Sequence, residues 1–222
     1  MPIFHPRLDI LPPPQRTLWP ELDATPDHFT LYGGTALALR LGHRQSVDFD
    51  FFSRMPFDPA ALTREIPYLA GAELVQVVSD TLTCRVEREG PVLVSFFGNL
   101  ALGEVAPREL PKGSKVHVAS LLDVAGTKAL TVQQRAQTRD YLDIDAIIRH
   151  GVELPLVLAA GGAVYGRSFS PLLTLKALSY FDDVPLLPAD VKKRLRRAVA
   201  AVDPANLPAL TPHVRRDNGR AR

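Results

Sequence analysis

A chain of 222 residues is long enough for one large domain or two small ones. Its 46% apolar and 23% charged content is that of an ordinary globular protein and excludes a disordered or fibrous chain. No apolar run reaches the roughly 18–20 residues that cross a bilayer, and the single cysteine, Cys84, excludes an intrachain disulfide and a cysteine zinc cluster. The formal net charge of +2 is nearly neutral but unevenly placed. The N-terminus has no basic segment followed by an apolar one, so no signal peptide is expected and the protein reads as cytoplasmic, with no membrane partner.

In chain order, residues 1 to 26 are proline-rich, with Pro12, Pro13 and Pro14 in a row and one short helix expected around Gln15 to Leu22. Asp27 to Tyr32 reads as a short strand. Gly33 and Gly34 open a helical run from Thr35 to Leu41 that ends at Gly42, a C-cap. Glycines at a helix start let backbone N–H groups approach a phosphate closely, helped by the helix dipole. His43, Arg44 and Gln45 form a turn. Ser46, Asp48 and Asp50 then alternate with Val47, Phe49 and Phe51, so a strand puts the two aspartates and the serine on one face. Two carboxylates side by side repel unless a cation lies between them, and a hard divalent ion with oxygen ligands suits such a pair. The motif is not a P-loop, because no GKS or GKT follows, and no GxGxxG is present.

Asp58-Pro59 starts a helix running toward Ala70, bent or shortened by Pro67. Three strands are expected next, Glu73 to Val78, Thr81 to Glu87 and Val92 to Phe97, with Gly90-Pro91 turning between the last two. Cys84 falls among them as a small core residue. From Ser120 the period becomes helical. Ser120 and Asp123 resemble a capping box, and Leu121, Val124, Ala125, Lys128, Ala129 and Val132 share one stripe. Lys128 therefore lies on the face to be buried, where it either meets an anion or carries its charge outward on its aliphatic stem. A helix from Arg139 to His150 follows, ending at Gly151, with Asp140 in its apolar stripe and Asp143 at the edge. Asp140 is expected as a helix cap or as a partner for Arg135, Arg139 or Lys128. Further helices span Leu154 to Tyr165, Pro171 to Phe181 and about Ala189 to Val202. Lys192, Lys193, Arg194, Arg196 and Arg197, then Arg215, Arg216, Arg220 and Arg222, make the end basic. It forms either an RNA-phosphate contact or a solvated face with a loosely ordered tail after about residue 203.

The stretch LYGGTALALRLGHRQSVDFDFF, a glycine pair, a short helix and DxD on a strand, resembles the signature of DNA polymerase β-type nucleotidyltransferases. More narrowly it resembles the AbiEii/AbiGii toxin family, whose second signature is similar to KALTVQQRAQTRDYLD from Lys128 onward. The resemblance implies an α+β fold: a nucleotidyltransferase-type mixed sheet with flanking helices over residues 1–112, and a helical bundle over 113–222 completing an active-site cleft. It implies a nucleotidyltransferase that needs Mg²⁺ or Mn²⁺, uses a nucleoside triphosphate, and serves as the toxin of a toxin–antitoxin or abortive-infection pair. The acceptor would be a polyanion such as tRNA, and the partner an antitoxin encoded nearby.

Under that resemblance Asp48 and Asp50 hold metal, Gly33, Gly34, Thr35, Arg44, Ser46 and Lys128 hold phosphate, and Asp143 acts as a catalytic or lysine-orienting acid. Asp140 and Ser95 are supporting residues. One departure stands out. The third carboxylate usual in this superfamily falls at Ser95, with Leu93 and Phe97 as same-face neighbours. Two alternatives follow: a catalytically degenerate nucleotide- or partner-binding module, or a small-molecule nucleotidyltransferase. The histidines are dispersed, with no zinc spacing.

Overall fold

The computed structural model describes residues 1–215 and divides the chain into two units: 1–101 with 107–119, and 102–106 with the chain from Ser120 onward. The architecture is α+β, with a mixed sheet and helices on the chain's two units.

In the first unit the elements are β1 (Ile3–Phe4), α1 (Pro13–Leu18), β2 (Thr30–Tyr32), α2 (Gly33–Leu41), β3 (Asp48–Phe52), α3 (Pro59–Glu65), β4 (Glu73–Val78), β5 (Thr81–Glu87), β6 (Pro91–Phe97) and β7 (Leu110–Pro111). Five strands form one sheet in the order β2-β3-β6-β5-β4, in which only β3 and β6 are parallel. β1 and β7 make a separate parallel pair. One sheet face carries the core: Phe49, Phe51, Leu82, Cys84, Val94 and Phe96 are fully buried. Phe51 stacks on Phe96 at 5.3 Å and Trp19 lies 6.2 Å from Phe49. Burial raises the pKa of the Cys84 thiol, in keeping with a core residue.

Local chemistry explains the departures from the expected bounds. α1 stops at Leu18 and the chain continues to Ala24 as a 3₁₀ helix, because Pro20 has no N–H to extend an α-helix. α2 begins at Gly33, two residues earlier than expected, and ends with Gly42 left-handed at φ 59°. Asp58 caps α3 by accepting the Ala60 N–H at 3.0 Å, and Pro67 ends that helix at Glu65, leaving a 3₁₀ turn over Pro67–Leu69. Residues 113–119 belong with this unit: Val118 bridges both Leu31 and Glu109, and the Arg40 guanidinium donates to the Ala119 carbonyl.

The second unit holds α4 (Leu121–Gln134), α5 (Thr138–Arg149), α6 (Leu154–Tyr165), α7 (Pro171–Ala177) and α8 (Ala189–Ala200). α4 and α6 approach so closely that a Cβ on Gly126 would stand 2.8 Å from the Ala160 carbonyl carbon. α7 ends four residues before Phe181, and Phe181 instead packs edge-on against Tyr141. The segment 102–106 is tied down by Gly103 N–H on the Val164 carbonyl at 2.9 Å and by a Glu104–Val214 bridge. That bridge gives the chain after residue 203 a fixed contact where loose order was expected. Arg216, Arg220 and Arg222 lie outside the described residues. Among the described residues no single helix is long and apolar enough to cross a membrane.

Candidate active site

β3 puts Asp48 and Asp50 on the sheet face opposite Phe49 and Phe51, and both carboxylates are half-buried. β2 pairs antiparallel to β3, Tyr32 opposite Asp50, so the chain leaving β2 enters α2 beside the aspartates. The result is close contact at the glycine pair. A Cβ on Gly33 would stand 2.7 Å from Asp50 Oδ2, and Gly33 has φ +73°, a conformation that excludes most side chains. A Cβ on Gly34 would stand 2.7 Å from Ser46 Oγ and 2.8 Å from Arg44 Nη2. Ser46 lies just before β3 rather than within it, yet its hydroxyl still reaches the glycines.

Gly33, Gly34 and Thr35 are the first three residues of α2, and N–H groups in a first turn have no partner within the helix. Backbone N–H groups, a guanidinium, a hydroxyl and a carboxylate thus converge within a few ångströms. The Thr35 side chain is buried, and its hydroxyl donates to the Asp48 carbonyl at 2.5 Å, tying α2 to β3.

The donor set fits a divalent cation with nucleotide phosphates. Two carboxylates on one rigid strand would hold such an ion, with phosphate oxygens supplying further ligands. The strand register sets Ser95 opposite Asp50 and Leu93 opposite Asp48. Ser95 is 8% exposed and its hydroxyl accepts from Thr83 Oγ1 at 3.2 Å. Thr83 escaped the sequence reading; the signal for it was the three-residue turn ending at Gly90, which sets Thr83 opposite Ser95. Tyr32 stacked on Phe52 at 4.8 Å, with Phe97 edge-on to Phe52 at 5.6 Å, lines the continuation of this face.

In the second unit Lys128 does not carry its charge outward. It is 5% exposed, and Nζ lies 3.0 Å from Asp140 Oδ1 and 2.6 Å from Asp143 Oδ2. Both carboxylates are fully buried. Asp140 is an ion-pair partner and not the helix cap, a position held by Gln137; Arg135 adds bonds of 2.8 and 3.2 Å to it. The cluster balances two cations against two anions. The two carboxylates hold the amine between them.

Ser120 caps α4 over Asp123, as the expected capping box requires, and the Asp123 carboxylate also holds a second segment. Ser120 Oγ accepts the Asp123 N–H at 3.1 Å, and the carboxylate accepts the Val105 and Ala106 N–H groups at 2.6 and 3.3 Å. Burial raises its pKa, opposed by these bonds and the one from Ser120.

A mixed sheet with a glycine pair entering a helix beside two aspartates on one strand face defines a nucleotidyltransferase-type protein. The sequence matches the family described as "Nucleotidyl transferase AbiEii toxin, Type IV TA system" over residues 18–215. The chain belongs to that family and is a nucleotidyltransferase of the toxin–antitoxin class. It is 33% identical over 159 residues to an uncharacterised protein of Aquifex aeolicus, covering 70% of this chain and 74% of that one. In fold it is similar to MenT4, a nucleotidyltransferase toxin of Mycobacterium tuberculosis, with a TM-score of 0.61 at 20% identity over 85% of this chain and 82% of the other. A nucleotidyltransferase of H. pylori matches at a TM-score of 0.47 and 16% identity, over 82% and 93% of the two chains.

Proposed function

We propose that the protein transfers a nucleotidyl group from a nucleoside triphosphate to a tRNA in a Mg²⁺-dependent reaction, and that a cognate antitoxin restrains it, as part of abortive infection. The observation that carries this reading is the glycine pair pressed against Asp50, Ser46 and Arg44. At the start of α2, beside Gly33 and Gly34, the dipole and N–H groups favour the negative charge of β- and γ-phosphates. Arg44 and Ser46 add a charged and a neutral donor. Asp48 and Asp50 would hold the cation, which would supply positive charge to the phosphates and lower the acceptor hydroxyl's pKa. The family's phosphate-binding lysine corresponds to Lys128, whose amine Asp140 and Asp143 hold. The acceptor hydroxyl gives its proton to solvent and its oxygen attacks the α-phosphorus, the bond to the β-phosphate oxygen breaks, and pyrophosphate leaves with its charge neutralised. The basic side chains of α8, Lys192, Lys193, Arg196 and Arg197, support a polyanionic acceptor over a small molecule.

Transfer of label from each α-³²P nucleoside triphosphate to total tRNA tests the proposal. Wild-type protein should label RNA and Asp48→Asn should not. Labelling that survives in Asp48→Asn would remove Asp48 from the reaction, and none in wild type with any nucleotide would favour the non-catalytic binding reading that Ser95 raises. Expressed without an antitoxin, wild type should arrest growth and Asp48→Asn should not.

A further inference from the structure

We infer that the site takes one divalent cation per bound triphosphate, with Ser95, held by Thr83, standing where a second cation would need a carboxylate; this rests on the reading above. Three placements carry it. In the parallel β3–β6 pairing Ser95 lies directly opposite Asp50, on the aspartates' face. The β6 residues flanking it on that face, Leu93 and Phe97, offer no oxygen. Thr83, opposite Ser95 on β5, donates its hydroxyl to Ser95 at 3.2 Å, so the place is occupied by two neutral hydroxyls joined by one bond.

A pair of divalent ions about 3.5–4 Å apart needs anionic oxygens bridging and flanking both. Mg²⁺ sheds water reluctantly and exchanges it for carboxylate or phosphate rather than for a hydroxyl already bonded to a neighbour. Two carboxylates therefore serve one ion. The positive charge that a second ion would bring is supplied by protein: Arg44 Nη2 stands 2.8 Å from where a Gly34 Cβ would be, at the start of α2 where the phosphates are placed. Ser95 is thus a positioning residue that sets metal stoichiometry and leaves this sheet face without a general base.

Manganese counting by electron paramagnetic resonance, with the four α,β-methylene nucleoside triphosphates in turn, tests this without turnover. Wild type should hold one Mn²⁺ per bound nucleotide. Ser95→Asp should hold two, with a melting temperature close to wild type. Two ions in wild type would overturn the inference, as would one ion in a folded Ser95→Asp. If Ser95→Asp does not fold, Thr83→Asp takes its place, and the wild-type count stands independently. Absence of nucleotide-dependent Mn²⁺ binding in wild type, or its survival in Asp48→Asn, would instead sink the site itself; a count of two that Asp48→Asn abolishes would sink only the stoichiometry.

Discussion

At the scale of single residues, Lys128 shows how burial decides between readings that spacing leaves open. Its stripe position required either an anion or an outward path, and two fully buried carboxylates supply the anion. Replacing it with methionine leaves Asp143 charged and buried without this amine, so Lys128→Met should cost about 3–5 kcal/mol in urea unfolding. Adding Asp143→Asn should recover part of that, because Asp140 keeps Arg135. Transferase activity should stay lost in the double variant, which separates the lysine's structural role from its proposed phosphate role. Asp123 gives the residue-scale pH effect. Burial raises its folded-state pKa above the unfolded value, so the folded state holds the proton more tightly. Stability from this group is then greatest when it is protonated and declines as pH rises from about 4 through the raised pKa. Urea unfolding of wild type and Asp123→Asn across that range checks the sign: the stability of wild type relative to the variant should fall as pH increases.

At the scale of elements, α4 and α6 meet through glycine. A Cβ on Gly126 would fall 2.8 Å from the Ala160 carbonyl carbon and 3.0 Å from Gly161 N, all backbone that cannot turn aside. Gly126→Ala should therefore destabilise by about 1–3 kcal/mol, measured by thermal or urea unfolding. β4 behaves oppositely. It is an edge strand exposed along its whole length, with Leu74, Val75, Val77 and Val78 about half exposed and a register shift between Leu74 and Gln76. Val77→Lys should change stability by less than about 0.5 kcal/mol while lowering light scattering on concentration, because charge on an edge strand opposes edge-to-edge pairing.

These two elements also mark what the sequence reveals. β4, β5 and β6 were legible because β-branched runs bounded by glycine and proline leave few other choices, and α2 and α4 because glycine and serine mark their ends. β1 was not legible, since two residues carry no period. The Gly126 contact was hidden as well, because a glycine inside a helix says nothing about what approaches it. In the site the glycine pair and both aspartates could be read from local pattern. The partners of Lys128 were narrowed but not fixed, Thr83 needed the exact length of the turn before Gly90, and the segment caught by Asp123 depends on a return of the chain that spacing does not encode.

At the scale of the whole molecule, a formal charge of +2 conceals a strongly basic helix. α8 buries only Val191 and Leu195, and Arg194 is held by Asp145 at 2.7 and 2.8 Å and by Asp190 at 2.8 Å. Arg194 is thus neutralised and structural. Lys193, Arg196 and Arg197 are exposed, Arg196 with its guanidinium 5.1 Å from the Phe181 ring. If the acceptor is RNA, these are the side chains that meet its phosphates, and each contact releases counterions. Lys193→Glu with Arg197→Glu should raise the KM for tRNA at least tenfold at physiological salt while leaving triphosphate affinity unchanged. The slope of log affinity for tRNA against log salt should become shallower by roughly 1.4–1.8, two contacts at about 0.7–0.9 each. Arg194→Glu should instead unfold the helix packing, because it sets a third carboxylate against Asp145 and Asp190. An unchanged salt slope in the double variant, with the fold intact by circular dichroism, would remove α8 from the acceptor's path and leave the small-molecule acceptor as the better account.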